Sequence, residues 1–348
     1  HQGFHQHPQI MKYILVTGGL GYIGSHTVVA LQQNGYHVLI VDDLSNSELT
    51  VLEGIESISG IRPEFLAMDL RDKKAVGDLF DQYTIDGVIH FAASKAVGES
   101  VENPLLYYEN NINALVYLLQ NCLSHQVHNV IFSSSCTVYG EPDQLPITES
   151  APIKQALSPY GNTKQIAEEI IQDTCSVSAL RCILLRYFNP IGAHDSAKIG
   201  ELPKGVPQNL VPFITQTAAG LRPQLSVFGN DYPTEDGSCI RDYIHVMDLA
   251  EAHVQALERL LNQQQETAVE VFNLGTGKGN SVLEVIQAFE QATGVAVPHQ
   301  IVARRAGDVV AVYADTQKAS KVLGWSTKRD LKQALASAWT WEKHIRGI

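Results

Sequence analysis

The chain has 348 residues, 45% of them hydrophobic, and a formal net charge of −12. This length suits one large domain or two, and the acidic balance argues against a nucleic-acid or anionic membrane surface as partner. No apolar run approaches the roughly 20 residues of a membrane span, and the five cysteines lack metal-ligand spacing, so a reduced, cytoplasmic protein with buried free thiols and no bound metal is expected.

Residues 1–10 are rich in His and Gln and have no periodicity; they are expected to be a tag or a disordered arm. The apolar run Tyr13-Ile14-Leu15-Val16 predicts a buried strand. Thr17-Gly18-Gly19-Leu20-Gly21-Tyr22-Ile23-Gly24 follows, then a helical pattern closing at Asn34-Gly35, a strand Val38 to Val41, and Asp42. Strand, glycine turn, helix, strand and acid is the layout that holds a dinucleotide. Gly18 lets the chain turn, Gly21 lets a pyrophosphate approach the backbone, and Gly24 lets the helix pack closely. The helix N-terminus offers its free N–H groups to the phosphates. Asp42 can accept from both adenosine ribose hydroxyls and would repel a 2′-phosphate, which selects NAD over NADP.

A polar loop, Leu44 to Ser47, leads to a strand Glu64 to Met68 and a helix Asp72 to Tyr83. Then come a strand Gly87 to Phe91, a long helix starting at Pro104, and a strand Asn129 to Phe132 that exits into Ser133-Ser134-Ser135. Ser158-Pro159 starts a further helix, with Ser as cap and Pro in the first turn, and a sixth strand runs from Cys182 to Leu185. This alternation predicts an α/β, Rossmann-like doubly wound parallel sheet over residues 11–188. After Pro190 the pattern loosens into a helix Gln208 to Ala219, a strand Leu225 to Phe228 and a polar loop. A helix Asp248 to Leu261 and a strand Val269 to Asn273 read as a return of 240–274 to the sheet. Residues 189–239 and 275–348, with a capping box at Ser281-x-x-Glu284, form a smaller mixed α/β substrate-binding domain.

Ligands in such folds sit at the carboxyl ends of the strands. Tyr160 and Lys164 lie four apart on one helix and share a face. That pair suits oxidation of an alcohol: tyrosine titrates near 10, but a cation at about 5 Å favours the phenolate by about 3 kcal/mol at an effective dielectric of 20, about two pKa units. Ser135, at a neighbouring strand exit, is placed to bond the same substrate hydroxyl.

These residues resemble those of the extended short-chain dehydrogenase/reductases and, within them, closely those of the UDP-glucose 4-epimerases. The resemblance runs from Met11 to about Trp341. It rests on Val16 to His26, Lys95 to Ser100, Phe132 to Gly140, Ser158 to Gly161, Leu185 to Pro190, Phe228 to Gly237 and Arg241 to Val246. It implies reversible inversion at carbon 4 of UDP-galactose and UDP-glucose through a 4-keto sugar, with Tyr160 as base, Lys164 on the nicotinamide ribose and Ser135 on the sugar hydroxyl. It places Gly18, Gly21, Tyr22, Ile23, Gly24, Asp42, Asp43, Asn46, Ser47, Asp69, Leu70, Phe91, Ala92, Ala93, Lys95, Asn110, Ser133 and Tyr187 at NAD, with Asp69 and Leu70 on the adenine. Asn189, Asn209, Leu210, Phe228, Arg241, Arg305, Asp308 and Val312 fall to the sugar nucleotide, the arginines on its phosphates. The family commonly has Asn for Asp43, Gly for Ala93 and Ala for Cys136.

A sugar-nucleotide 4,6-dehydratase is the rival in the same fold; it needs an acidic pair where Cys136 and Thr137 stand. A non-catalytic NAD-sensing module is the other, and such a module has no need of Tyr160 and Lys164. The resemblance also implies a homodimer through the helices after Pro104 and Pro159, with Tyr107, Leu118, Ile166 and Ile170 as apolar residues beyond one face. Many glucose-restricted relatives carry tyrosine at the place of Val312, so the smaller valine predicts room for N-acetylated hexosamines.

Overall fold

The computed structural model describes residues 11–93 and 96–348. The expectations for residues 1–10 and for Lys95 lie outside the described residues. Strands β1 (Tyr13–Thr17), β2 (His37–Asp42), β3 (Glu64–Ala67), β4 (Gly87–His90), β5 (Asn129–Ser135) and β6 (Arg181–Tyr187) join Val269–Leu274 in one seven-stranded sheet. Every pairing in it is parallel, and the order is Val269–Leu274, β6, β5, β4, β1, β2, β3. The return of the chain to the sheet at Val269–Leu274 matches the sequence reading. Connections run outward in both directions from β1 and β4, which makes a switch point where those strands end.

Both sheet faces are covered, so the strands read as nearly continuous apolar runs. One face packs Ile14, Val16 and Ile40 against helix α1 (Tyr22–Gln33) and the helix Val246–Leu261. The other packs Leu15, Leu39 and Val130 against helices Lys73–Gln82, Ala114–Ser124 and Pro159–Ser176. A separate apolar core gathers Ile214, Phe289 and Leu335 from helices Leu210–Ala218, Val282–Thr293 and Leu331–Arg346. The Ser281 capping box is present, with Glu284 reaching back to the Ser281 N–H.

Several expectations change. Strand β5 runs three residues past the expected end at Phe132 and takes in Ser133 to Ser135. The helix after Pro104 is interrupted by a π turn over Glu109–Asn113. Tyr107 and Leu118 are buried within the chain, Tyr107 accepting from the Ala96 N–H through its hydroxyl at 2.9 Å, so neither is left for a partner. The exposed apolar side chains of that region include Val97, Val101, Leu105 and Leu157. A helix Val51–Ser59 and a strand His299–Val302, paired with Leu225–Phe228, complete the fold beyond the sequence reading. Among the described residues no helix is long and apolar enough to cross a membrane, and all the cysteines are free.

Candidate active site

Gly18 opens the site. Its φ of +69° is left-handed, and a Cβ there would stand 2.9 Å from the Ala92 nitrogen. A Cβ at Gly24 would stand 2.2 Å from the Gly18 carbonyl oxygen, so α1 packs on the turn itself. Thr17 holds the neighbouring strand exit: its Oγ1 accepts from the Phe91 and Ala92 N–H groups at 3.1 and 3.2 Å. Ala93, next in the chain, is part-buried. No side chain caps α1, whose N-cap is Gly21, so its first-turn N–H groups face the turn. Ile23 is buried, and the Tyr22 hydroxyl donates to the Gly192 carbonyl at 2.5 Å, fastening α1 to the rest of the site.

Asp42 is buried at the end of β2, with Oδ1 accepting from Leu44 N and Ser47 Oγ and Oδ2 from Leu20 N at 2.9, 2.7 and 3.2 Å. These bonds fix its orientation and leave acceptor capacity on a group with about four lone-pair sites. Asp43 is exposed and bonds Ser45; Asn46 is exposed beside it. The Asp69 carboxylate is engaged by the Arg71 fork at 2.7 to 3.1 Å, which holds it below the usual carboxylate range. Its side chain is therefore committed to Arg71, which the sequence reading missed, while the adjacent Leu70 is buried.

Tyr160 sits at the first turn of the helix Pro159–Ser176, where Ser158 accepts from Gly161 N at 3.1 Å as cap. Its backbone N–H donates to the buried Ser100 Oγ at 3.1 Å, and its carbonyl accepts from Thr163 Oγ1 at 2.7 Å. Thr163 Oγ1 in turn accepts from Asn111 at 3.1 Å, so the π turn carrying Asn110 and Asn111 is tied to the same helix. Lys164 Nζ donates to the Ser133 carbonyl at 2.9 Å and lies 5.9 Å from the Tyr160 ring centroid. Burial pushes the Tyr160 phenol above its ordinary value, while polar contacts with Tyr187 and Ser135 pull it down. Burial is the largest of these influences. Ser135, Tyr160 and Tyr187 meet at the strand ends, and all are buried. Ser135 and Tyr187 are register partners across β5 and β6.

The residues expected at the sugar nucleotide lie on segments outside the seven-stranded sheet. Cys136 and Val312 line a small apolar cluster with Val138, Tyr139, Ile147, Phe188 and Ala314. Burial pushes the Cys136 thiol up to about 12, with the Arg241 charge opposing. Asn189 N donates to the Asp242 carbonyl at 2.9 Å, which joins that segment to the one carrying Arg241. Asn209 precedes the helix that Leu210 begins and donates to Glu201 at 3.1 Å; burial pushes Glu201 up to about 7. Arg305 stacks over Phe228 at 4.9 Å and pairs with Asp308 at 3.0 Å. The structure thus brings Arg305, Asp308 and Phe228 together. Glu201 was missed by the sequence reading; a carboxylate eight residues before Asn209 gives no local signal.

The glycine turn, the uncapped helix end and the fixed Asp42 carboxylate fit NAD. Comparison with known proteins agrees. The family model described as GDP-mannose 4,6 dehydratase matches residues 15–338. UDP-glucose 4-epimerase of Dictyostelium discoideum is 51% identical over 330 residues, covering 94% of this chain and 95% of its own. The crystal structure of UDP-glucose-4-epimerase from Stenotrophomonas maltophila with bound NAD and formylated UDP-arabinopyranose superposes with a TM-score of 0.94 at 48% identity, covering 97% of this chain and 99% of that one. The UDP-Glc/GlcNAc 4-epimerase of Campylobacter jejuni gives a TM-score of 0.82 at 37% identity, covering 96% and 99%. Similar to these enzymes over nearly its whole length, the chain belongs to the NAD-dependent UDP-glucose 4-epimerase family.

Proposed function

We propose that the protein interconverts UDP-galactose and UDP-glucose by inversion at carbon 4. The observation that carries this is the convergence of Ser135, Tyr160 and Tyr187 at the strand ends beside the NAD-type turn. When bound, NAD supplies a reversible hydride acceptor. Gly18 to Gly24 would hold its pyrophosphate and Asp42 its adenosine ribose. Phe91, Ala92, Ala93, Ser133, Lys164 and Tyr187 would line its nicotinamide end. Tyr160 takes the proton of the 4-hydroxyl and returns it to the same oxygen after the sugar has presented its other face; the inversion lies in the C–H bond at carbon 4. Burial makes this phenol sensitive to nearby positive charge, because desolvated charges interact strongly; Lys164 supplies the protein's share. Ser135 Oγ fixes the sugar hydroxyl. The 4-keto sugar must turn over while its nucleotide stays in place. Arg241, Arg305, Asp308 and Phe228 therefore anchor the uridine diphosphate, and the hexose pocket is loose.

In this reading residues 11–188 with 240–274 hold NAD, apart from Arg241, which reaches the diphosphate, and 189–239 with 275–348 hold the sugar nucleotide. Elimination of water as in a 4,6-dehydratase is disfavoured, because Cys136 and Thr137 offer no acid pair beside Ser135. Val312, in the cluster with Cys136, supports acceptance of the N-acetylated hexosamine pair as well. The exposed Val101, Leu105 and Leu157 support a homodimer through the helices after Pro104 and Pro159. The purified protein is expected to carry NAD and to convert UDP-galactose without added cofactor; no conversion by NAD-loaded protein would end this reading. Sedimentation as a monomer at micromolar concentration would end the dimer.

A further inference from the structure

Directly beneath the catalytic row lies a second, wholly polar one. The sheet register pairs Ser135 with Tyr187 and Tyr187 with Leu274; one residue back it pairs Ser134 with Arg186 and Arg186 with Asn273. Successive side chains on a strand point to opposite faces. Ser134, Arg186 and Asn273 therefore share the face that the helix Pro159–Ser176 covers. Glu168 follows Tyr160 and Lys164 at the same four-residue interval, on one stripe of that helix.

Glu168 closes the row. Its Oε2 accepts from Ser134 Oγ at 2.5 Å and Arg186 Nε at 3.1 Å, and its Oε1 from Arg186 Nη2 at 2.6 Å. Arg186 Nη1 donates to the Tyr139 hydroxyl at 3.1 Å, which donates to Asn273 Oδ1 at 2.6 Å. Asn273 Nδ2 continues to the Ile147 carbonyl at 2.8 Å, and its backbone N–H donates to Glu149 at 3.1 Å. Glu168 and Arg186 are both almost wholly buried. A buried pair is weak evidence for stability, since apolar residues of similar volume often do as well. A bidentate fork is instead a strong constraint on geometry.

We propose that the Glu168–Arg186 fork and its Ser134, Tyr139 and Asn273 partners are positioning residues that set the height and rotation of the Tyr160–Lys164 helix over Ser135 and Tyr187. The fork fixes the helix to the residues that immediately precede Ser135 and Tyr187, so a slip of the helix would move the phenol away from both. The inference rests on the proposed epimerase reading.

The test compares the full-length, NAD-loaded parent with Glu168→Gln, Arg186→Lys and the triple variant Ser134→Ala, Glu168→Leu, Arg186→Met, which removes the fork and its serine partner without leaving either charge of the pair unpaired. Turnover and KM for UDP-galactose, bound NAD and thermal midpoint are measured for each. Misplacement of reacting groups by about 1 Å can cost about a hundredfold. The expected result is a fall in kcat of about tenfold for Glu168→Gln and about a hundredfold for the triple variant, with KM within about twofold and NAD retained. Should the triple variant fail to fold, Glu168→Gln decides by the same split. Unchanged kcat overturns the proposal. So does a fall in kcat that only tracks lost NAD or lost folded fraction, which marks a merely structural network. An inactive parent removes the epimerase reading and this one together; an active parent with unaffected variants removes this one alone.

Discussion

Tyr160→Phe removes one oxygen from a side chain that is 4% exposed. The ring keeps its volume, and the backbone bonds of Tyr160 to Ser100 and Thr163 do not involve the hydroxyl. The cost to folding is the loss of a partner for the buried Tyr187 hydroxyl, about 1–3 kcal/mol, small enough to leave the protein folded. The cost to turnover is larger. A positioned general base contributes about 10²- to 10⁴-fold, or about 3–5 kcal/mol of barrier at about 1.4 kcal/mol per decade. Tyr187 and Ser135 remain beside the lost oxygen, but neither stands on the helix whose Lys164 faces Tyr160. The assay measures UDP-glucose formed from UDP-galactose at saturating substrate, with bound NAD measured after denaturation. A hundredfold or greater loss of kcat with NAD retained is expected, and Ser135→Ala should lose less. A variant that keeps NAD and stays within about tenfold of the parent would refute Tyr160 as the base.

Gly24→Ala places a methyl 2.2 Å from the Gly18 carbonyl oxygen, where backbone must yield; purified variant is expected to lose bound NAD, and full occupancy would contradict the turn's role. Val312→Tyr should suppress UDP-N-acetylgalactosamine conversion and spare UDP-galactose, since overpacking a formed pocket costs about 1–3 kcal/mol; equal loss of both substrates would show that Val312 does not face the acetamido group. Burial lowers His26 from 6.5 to about 3 and His245 from 6.5 to about 4. The unfolded chain therefore binds more protons, so their contribution is complete above about 6.5 and is lost as pH falls through the folded values, at up to about 1.4 kcal/mol per pH unit for each. Glu201, raised to about 7, slopes the other way, so the check is the difference between parent and His26→Gln: denaturant unfolding between pH 7 and 5 should be less pH-dependent in the variant, and identical slopes would contradict the assignment.

Much of the site was legible from local pattern. The glycine turn, Asp42 at the end of β2, the Ser158 cap and the Tyr160–Lys164 spacing are fixed within a few residues of chain, where steric and hydrogen-bonding rules act without knowledge of the rest. The return of Val269–Leu274 to the sheet was legible for the same reason, as an apolar run following a helix. Other features depended on residues far apart in the chain. The helix Val51–Ser59 contains Gly54, a weak helix former, and a Cβ there would meet the Lys198 carbonyl oxygen at 2.3 Å. The burial of Tyr107 and Leu118 could not be assigned from spacing, because periodicity gives an apolar face without saying which surface covers it. The apolar run of β5 ends at Phe132, yet pairing with β6 carries the strand on through Ser133 to Ser135. The row joining Ser134, Arg186 and Asn273 exists only through sheet register, since strands distant in sequence become neighbours when parallel pairing aligns them. Sequence determined the chemical groups and their local geometry; tertiary structure decided which of them meet, because those meetings depend on register and packing across the whole sheet.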